Sequence, residues 1–521
     1  MKDMQGRERI AVIDLGSNSA HLAVMEVLTA EPAAAYRQIY HDKTAVRLSQ
    51  GLTDTGALRE DAMERTLDVL RQFVRIARRM HVTRTLAVAT ASMRLATNGS
   101  AFRDRIADET GLSIDIISGE REAELGYIGV VNTLPERDCI IFDLGGASME
   151  ISLVRRRRRI RSVSLPIGAL TLTDAYGTAG VTDDARRRRV ATAVTDALAA
   201  IPDIRKARIP VIGIGGTVRN LAKIHQREIR YPIPKLHHYR MTPAVVRTLT
   251  DRLCAATLDE RRDVSGLSAE RADIINAGSI AIDTLLRAVD APTLIISGCG
   301  LREGLFFQDY ARHYRGDMLF PDDMIADSTA AYRATLPLDD NAHMRYVTRL
   351  TLSLYDALEA RYHFPAAART WLETAARLHD TGQIINFYST ARHSAYIIAN
   401  APLYGLTHRE QAICAIIAGF QDGISSKLTR FTRYRDLLEA GDFRLIKRLA
   451  ALLAIAKCLA HTHEGQIRDL MLHCTDERAE LTLLSATPDD LDSLRRALHK
   501  HADQFERSYR LRLVLADDAP R

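Results

Sequence analysis

The feature that most constrains the fold is a short pattern that occurs twice: an apolar strand, the tripeptide Asp-Leu-Gly, a turn of small residues and a second strand. The first copy spans residues 10–25 and the second spans residues 140–151. Glycine allows a tight turn with bare backbone, in which successive N–H groups can converge on an anion. The repetition indicates two related domains, each of which offers a phosphate-binding turn to a shared cleft.

The second copy carries two acidic side chains beside its turn. Asp143 ends the first strand and Glu150 lies on the second strand. Between them, Ser148 adds a hydroxyl group next to Gly145 and Gly146. An anion cradle flanked by two carboxylates suits a phosphate bound together with a divalent cation. The alternative for this stretch alone is an ordinary β-hairpin with a glycine turn.

Composition narrows the class of protein. A chain of 521 residues with 46% apolar and 26% charged residues is typical of a soluble globular protein with several domains. Six scattered cysteines, without a CxxC pair, favour a reducing cytoplasm over a disulfide framework or a zinc ribbon. The formal net charge of +6 gives a mild preference for polyanions. We expect a cytoplasmic protein that binds neither a membrane nor nucleic acid, because the sequence has no apolar span and no aromatic-basic platform.

Strand and helix patterns alternate along the first 310 residues. Helical spacing over residues 57–80 is followed by strands at 85–90 and 113–117, with a helix around 100–109 between them. This order predicts an α/β fold with much of its sheet parallel. Beyond about residue 315, glycines become rare and helical spacing dominates. That region predicts a separate α domain, with a small β-α-β segment at the C-terminus.

A third glycine turn follows the strand at residues 210–214. Gly215, Gly216 and Thr217 lead into a helix, and such a helix N-terminus is a ready anion site. The segment does not fit G-x-G-x-x-G, and no Walker A pattern occurs in the chain. Neither a dinucleotide-binding Rossmann site nor a P-loop is therefore indicated.

Arginines and a glutamate-rich helix start lie near these turns. Arg94, Arg271 and Arg302 are each either surface ion-pair formers or bidentate phosphate ligands. Ser118 and Gly119 precede a helix start that contains Glu120 and Glu122. Local sequence favours a helix-dipole role for these two glutamates. The alternative is that one of them faces the cleft as a base that orients water.

Seven motifs in order carry a resemblance to a known family. They read Asp-Leu-Gly-Ser-Asn-Ser, Ala-Thr-Ala-Ser-Met-Arg, Ser-Gly-Glu-Arg-Glu-Ala-Glu, Asp-Leu-Gly-Gly-Ala-Ser-Met-Glu, Gly-Ile-Gly-Gly-Thr, Glu-Arg-Ala-Asp-Ile-Ile and Ser-Gly-Cys-Gly-Leu-Arg-Glu-Gly-Leu. The series resembles the exopolyphosphatase/guanosine pentaphosphate phosphohydrolase (Ppx/GppA) family of the actin-like ATPase superfamily. The resemblance implies two RNase H-like domains at 1–134 and 135–314, with the active site between them. A helical HD-like domain at 315–475 and a small C-terminal α/β domain at 476–521 would follow.

The same resemblance implies an activity. The expected reaction is hydrolysis of the terminal phosphate of inorganic polyphosphate with Mg²⁺. Independently of the resemblance, we expect a homodimer, with which the extended C-terminal half is compatible. One alternative substrate is guanosine pentaphosphate, and another possibility is a non-catalytic sensor of polyphosphate or of guanosine penta- or tetraphosphate. A sugar kinase or chaperone-type ATPase of the same superfamily also stays open, because the glycine turn at residues 215–216 occupies the topological place of a nucleotide site.

Roles for single residues follow from the matched motifs. Glu122 matches the proposed catalytic glutamate, while Asp143 and Glu150 match the metal-assisted centre and its metal ligands. Arg121 directly precedes Glu122, and we expect it to lower the pKa of Glu122. The phosphate-binding set implied by the resemblance comprises Asp14, Gly16, Ser17, Asn18, Ser19, Arg94, Gly145, Gly146, Ala147, Ser148, Gly215, Gly216, Thr217 and Arg271.

The helical region resembles the HD phosphohydrolases. His343 matches their first histidine, and His379 and Asp380 match the paired motif. Their final aspartate would fall near Lys457, and a protonated lysine cannot bind a metal. This departure predicts a non-catalytic domain that extends the binding surface. Retained metal binding is the alternative.

Overall fold

The computed structural model describes residues 6–29, 35–338, 341–421, 434–461, 467–485 and 490–516. The chain divides into two compact units, Met1–Asp322 and Asp323–Arg521. The first unit contains two mixed sheets with helices, and the second contains a helical bundle and a small sheet. None of the helices in the described part of the chain combines the length and the apolar character that a bilayer span requires.

The first sheet is built on the first Asp-Leu-Gly hairpin. Its strand order is β3-β2-β1-β4-β5, with β1, β2 and β3 antiparallel and with β4 and β5 parallel to β1. Strands and helices of this part are β1 Arg7–Leu15, β2 Ser19–Leu28, β3 Ala35–Ala45, α1 Leu52–Thr55, α2 Glu60–Arg79, β4 Arg84–Ala89, α3 Ala91–Leu95, α4 Gly99–Thr110 and β5 Asp115–Ile116. The predicted helical stripe of α2 is confirmed, because Leu67, Leu70 and Phe73 are fully buried in the core of this sheet.

The second sheet repeats this arrangement around the second hairpin. Its strand order is β10-β11-β9-β6-β7-β8. Strands β6, β9 and β11 are parallel to one another, whereas the pairs β6–β7, β7–β8 and β10–β11 are antiparallel. Its elements are α5 Gly119–Val131, β6 Cys139–Leu144, β7 Met149–Arg155, β8 Arg158–Leu165, α6 Ala169–Tyr176, α7 Asp184–Leu198, β9 Val211–Ile214, α8 Gly216–Glu228, β10 Tyr239–Met241, α9 Pro243–Ala255, α10 Leu258–Arg262, α11 Ile275–Val289, β11 Leu294–Ile296 and α12 Leu301–Tyr314.

Helices α5 and α12 cross between the two sheets. Helix α5 packs on β7 and β8 of the second sheet, whereas α12 packs beside β1 of the first. Their crossing is very close, because a Cβ atom at Gly304 would lie 1.9 Å from the Leu125 carbonyl oxygen, and one at Gly129 would lie 2.2 Å from that of Gly300. Helix α5 precedes the expected boundary at 134/135, yet it packs on the later sheet. Because α5 packs on β7 and β8, its residue Glu122 lies beside the second hairpin.

The second unit is mainly helical. It contains α13 Met324–Ala334, α14 Asn341–Tyr362, α15 Ala368–Arg377, α16 Thr390–Asn400, α17 His408–Gly419, α18 Asp442–Leu459, β12 Ile467–Cys474, β13 Arg478–Ser485, α19 Asp490–Tyr509 and β14 Arg512–Leu515. Strand β13 pairs with β12 antiparallel and with β14 parallel. Strand β12 was not predicted from the sequence. It lies before the expected boundary at 475/476, although it belongs to the same sheet as β13.

Candidate active site

The two Asp-Leu-Gly turns have the same backbone geometry. In the first, the Gly16 N–H donates to the Ser19 carbonyl at 3.1 Å, and in the second the Gly145 N–H donates to the Ser148 carbonyl at 3.0 Å. The first turn packs against the chain after β3, and the second packs against the start of α6. A neighbouring segment is therefore hydrogen-bonded to one side of each turn.

These supporting segments fix the direction of the turn amides. In the first turn, the carbonyls of Ser17 and Asn18 accept hydrogen bonds from residues 46–49. In the second, the carbonyls of Gly145 and Gly146 accept from residues 169–171. Because a trans peptide points its N–H opposite to its C=O, the next N–H groups face away from the support. The N–H groups of residues 18–19 and of residues 146–147 thus face the other side of each turn.

That other side is a cavity of about 300 Å³ between the two turns. The turns nearly touch, since a Cβ atom at Gly146 would lie 3.2 Å from the Ser17 Cβ. Most of the predicted site residues line this cavity, namely Asp14, Gly16, Ser17, Asn18, Ser19, Glu122, Asp143, Gly145, Gly146, Ser148, Gly215, Gly216 and Arg271. The fold therefore brings three separate glycine turns to one place.

Four predicted residues lie behind the cavity lining. Ala147 and Thr217 are buried at 3% and 1% exposure, and the Thr217 side chain packs against the helix position of Gly278. Glu150 is buried behind the second turn, and Arg94 is engaged with Glu122. A phosphate contact from Ala147 would therefore use its backbone N–H. The predicted phosphate contacts of Thr217 and Arg94 stay predictions.

Three carboxylates, Glu122, Asp143 and Glu150, meet beside the second turn, and we call them the carboxylate cluster. Asp143 on β6 and Glu150 on β7 are directly opposite in the antiparallel register. Burial raises the pKa of Asp143, and burial together with the Asp143 charge raises the pKa of Glu150 to about 7. The Ser164 hydroxyl donates to Glu150 Oε1 at 2.7 Å, which holds this carboxylate in place.

The expectation that Arg121 lowers the pKa of Glu122 is wrong. Arg121 turns away from the cluster and pairs with Glu124 at 2.6 Å and with Gln308. Burial raises the pKa of Glu122 well above its usual value, and the neighbouring charge of Glu150 raises it further. The basic partner of Glu122 is instead Arg94, whose Nη1 lies 3.2 Å from Glu122 Oε2.

Five cationic side chains line the cavity. Arg219 donates to the carbonyls of Ser297 and Gly298, at 3.4 and 3.3 Å. Arg271 lies across the third glycine turn, so that a Cβ atom at Gly216 would be 2.0 Å from its guanidinium carbon. The other cations of the lining are Lys43, Lys223 and Arg302. A polyanion inside this cavity would meet positive charge from several directions.

Sequence reasoning did not select His21, Lys43, Arg219 or Lys223, and it left Arg302 open between two roles. Arg219 had a signal, because it lies in the first turn of a helix that follows a glycine turn. Arg302 had the same signal after the turn at residues 298–300. Lys43 had no such signal, because it is one of several consecutive polar residues of β3. It reaches the cavity because β3 lies next to β2 in the sheet.

The predicted HD-like centre in the second unit is organised differently. Both carboxylate oxygens of Asp380 accept from Arg333, at 2.5 and 2.9 Å, within a buried ion pair. This pairing holds the pKa of Asp380 below its ordinary value despite the opposing effect of burial. The Nδ1 of His379 bonds the Ala376 carbonyl at 2.7 Å. The Arg333 guanidinium thus binds both Asp380 oxygens, which a metal ion would need as ligands.

Comparison with known proteins agrees with this geometry. The sequence model of the Ppx/GppA phosphatase family matches residues 27–313, more than half of the chain, and that of Ppx/GppA phosphatase domain III matches residues 336–498. This chain belongs to the Ppx/GppA phosphatase family. Membership confirms the resemblance and supports phosphohydrolase activity, and the first unit of this Ppx/GppA protein has the actin-like ATPase fold.

Two solved structures are similar to this Ppx/GppA chain. An exopolyphosphatase from Cytophaga hutchinsonii is 27% identical, with a TM-score of 0.55, over 60% of this chain and 100% of that one. A family member from Aquifex aeolicus is 27% identical, with a TM-score of 0.51, over 59% of this chain and 98% of that one. Nearly the whole length of each relative is therefore matched by this longer chain.

Proposed function

We propose that this Ppx/GppA protein is an exopolyphosphatase, which hydrolyses the terminal phosphate of inorganic polyphosphate with the help of Mg²⁺. One observation carries the proposal: two amide-lined turns face each other across a cavity that also holds carboxylates and five cations. A terminal phosphoryl group spreads negative charge over its oxygens, so its transfer depends mainly on positioning and electrostatic stabilisation. The Cytophaga hutchinsonii relative, an exopolyphosphatase, supports the same activity.

The residues of the second hairpin fit the proposed cation. Asp143 and Glu150 supply carboxylate oxygens, the ligand type that Mg²⁺ prefers, and their raised pKa values show that a nearby positive charge would stabilise their ionised forms. Within the described residues, no three His, Cys, Asp or Glu side chains form a metal site on their own. Mg²⁺ keeps several waters and takes further ligands from phosphate oxygens, so the proposal needs only one or two carboxylates from the protein. When bound, it would neutralise charge on the transferred group.

Glu122 is the residue best placed to act on water. Its carboxylate lines the cavity, and Arg94 holds one of its oxygens. Its raised pKa makes it a stronger base once it is ionised, and a base is most effective when its pKa is near the working pH. Glu122 would take a proton from water while the water oxygen bonds to the terminal phosphorus. The bond from that phosphorus to the bridging oxygen breaks, and the shortened chain leaves with that oxygen.

The five cations of the cavity lining would hold the rest of the substrate. Arg219, Arg271 and Arg302 all interact electrostatically with Asp143, so they lie close to the transferred phosphate. They can bind the leaving phosphate oxygens as charge develops there. The described lining contains no Phe, Tyr or Trp, and its imidazole, His21, is hydrogen-bonded to Ser19 and Arg302. The five cations of the lining suit the repeated charges of polyphosphate, and guanosine pentaphosphate is the alternative substrate.

A side-by-side turnover assay tests the proposal. Phosphate release is measured from polyphosphate of defined length, guanosine pentaphosphate and ATP, with and without Mg²⁺. We expect the highest kcat/KM on polyphosphate. Faster release from the pentaphosphate would replace the proposed substrate, and faster release from ATP would favour the kinase-like alternative.

Paired variants connect the activity to the site. Glu122→Gln should abolish most turnover but keep polyphosphate binding, because general base catalysis typically contributes about 10²–10⁴-fold. Glu120→Gln is the matched control, since Glu120 is an exposed glutamate in the same helical turn. Binding without turnover in the wild-type protein would favour a sensor instead of an enzyme.

A further inference from the structure

His21 takes, in the first hairpin, the position that Glu150 takes in the second. It lies directly opposite Asp14 across β1 and β2, as Glu150 lies opposite Asp143 across β6 and β7. His21 lines the cavity. The mechanism described above makes no use of this imidazole, although both of its nitrogens have partners.

The partners of His21 are a hydroxyl and a guanidinium. Its Nε2 lies 2.9 Å from the Ser19 Oγ, and its Nδ1 lies 3.3 Å from Arg302 Nη1. A guanidinium has N–H donors and no acceptor, so Nδ1 has to be the acceptor of the second bond. In a neutral imidazole the proton is then on Nε2, which donates to the Ser19 oxygen.

This order of donors determines the direction of the Ser19 hydroxyl. The hydroxyl has one proton and two lone pairs, and one lone pair receives the Nε2 proton. Ser19 cannot donate back to His21, so its own proton is available to another acceptor. Ser19 is 94% buried and lines the cavity beside the amides of the first turn. The acceptor offered there by a bound substrate is a phosphate oxygen.

The surroundings of the ring keep it neutral. Burial lowers the pKa of His21 to about 2, helped by the charges of Arg302 and Lys43 and by the nearby His41 and Arg219. A protonated ring would present N–H at Nδ1 to the Arg302 guanidinium, where two donors would face each other. Both the charges and the hydrogen bonds therefore favour the neutral ring.

We propose that His21 is a positioning residue, which as the Nε2–H tautomer links Arg302 to Ser19 and makes the Ser19 hydroxyl an obligatory donor to a bound phosphate. The inference rests on the proposed phosphate-binding function of this cavity. It assigns the two hairpins opposite hydrogen-bond polarity. The returning strand of the first presents the Ser19 hydroxyl as a donor to the phosphate, whereas that of the second presents the Glu150 carboxylate as an acceptor to a cation or to water.

The tautomer can be measured without substrate. In protein labelled with ¹⁵N-histidine, two-bond nitrogen–proton correlations distinguish the two neutral tautomers and the imidazolium. The His21 signals are identified by their loss in the His21→Gln variant. We expect the Nε2–H tautomer at every pH from 6 to 8. An Nδ1–H tautomer or an imidazolium in that range would overturn the proposal.

A double-mutant cycle tests the link to phosphate binding, with tripolyphosphate titrated calorimetrically. Ser19→Ala alone should weaken binding about tenfold, as expected for one lost hydrogen bond to a charged group. In the His21→Phe background the same change should cost less than about twofold, because the hydroxyl is no longer directed. In the His21→Gln background, whose amide still donates to Ser19, the tenfold cost should return. Equal costs in all three backgrounds would refute a directing role.

Controls separate this inference from its premise. His41→Gln changes a nearby exposed imidazole, whose ring centre is 6.1 Å from that of His21, and should leave binding unchanged. If polyphosphate is not hydrolysed but the tautomer and the cycle agree, the proposed function fails and the positioning role stands. If polyphosphate is hydrolysed and the ring is the Nδ1–H tautomer, the positioning role alone fails.

Discussion

The two Asp-Leu-Gly hairpins share a backbone but differ in charge. Both close with the same Gly-to-Ser hydrogen bond, and both turn their amides toward the cavity. The returning strand then carries His21 in one and Glu150 in the other. Around His21 lie Arg302 and Lys43, whereas around Glu150 lie the other members of the carboxylate cluster.

In the proposed reaction, the two copies of the duplicated motif have different tasks. A phosphate needs only donors, and the backbone of either turn supplies them. Water activation and a divalent cation need acceptors, and only the second hairpin concentrates ionisable oxygens. We therefore expect changes at the second hairpin to act on kcat, and changes at the first to act on KM.

The largest effect should come from the second hairpin. Asp143→Asn removes a charge from the carboxylate cluster but keeps its shape, so kcat for polyphosphate should fall by about 10²–10⁴-fold. KM should change by less than about threefold. Asp138→Asn is the control, because Asp138 is exposed and its Oδ1 accepts the Arg156 N–H in the turn between β7 and β8, which an amide oxygen can also do. A fall in kcat of less than tenfold would contradict the assignment of kcat effects to the second hairpin.

The second effect concerns the stability of the free protein. Burial raises the pKa of Asp14 to about 6 and that of Glu150 to about 7, both above their ordinary values. The native state then binds more protons than the unfolded state at intermediate pH, so these groups lower the free energy of unfolding as pH rises. Their destabilising contribution is absent below about pH 4 and is complete only above pH 6 for Asp14 and above pH 7 for Glu150.

Neutral substitutions should reveal these contributions. At pH 8, Asp14→Asn should raise the free energy of unfolding by about 3 kcal/mol at most, since each pKa unit corresponds to about 1.4 kcal/mol. The gain should shrink between pH 6 and pH 4 for Asp14→Asn, and should begin to shrink near pH 7 for Glu150→Gln. Urea unfolding across this pH range measures both. A gain that is the same at every pH would show that the carboxylates do not titrate as described.

The third effect concerns the role of the first hairpin in substrate binding. Asn18 is 92% buried in the cavity lining, and its Nδ2 has no acceptor among the described residues. A donor left in this state costs free energy that a bound phosphate would recover. Asn18→Ala should raise KM for polyphosphate about tenfold and leave kcat within about twofold. A loss confined to kcat would contradict the binding role of this hairpin.

Much of this site could be predicted from the sequence, because its parts are local. The Asp-Leu-Gly turns are read from consecutive residues, and the structure confirms the hairpins and the α/β alternation around them. Residues of all three glycine turns meet in one cavity. A turn depends on glycine and on strand ends, which are visible in any single stretch of chain.

Features that depend on distant segments could not be predicted. The environment of Glu122 is set by the packing of α5 on β7 and β8, so its neighbours are Arg94 and Glu150, and the adjacent Arg121 turns outward. Lys43 reaches the cavity only because β3 lies next to β2 in the sheet. Sequence adjacency was therefore a poor guide to the pKa of Glu122, although the motif identified the residue.

The smallest effect should come from the third glycine turn, at residues 215–217. A Cβ atom at Gly216 would lie 2.0 Å from the Arg271 guanidinium carbon, so Gly216→Ala should displace this side chain. Because the guanidinium is the flexible end of a long side chain, we expect KM to rise only about threefold, with little loss of stability. Gly180→Ala is the matched control, since nothing lies within 4 Å of a Cβ atom there. In an Arg271→Ala background, Gly216→Ala should have no further effect on KM. An effect that persists there would mean that the added methyl group disturbs the backbone of the turn itself, and not only Arg271.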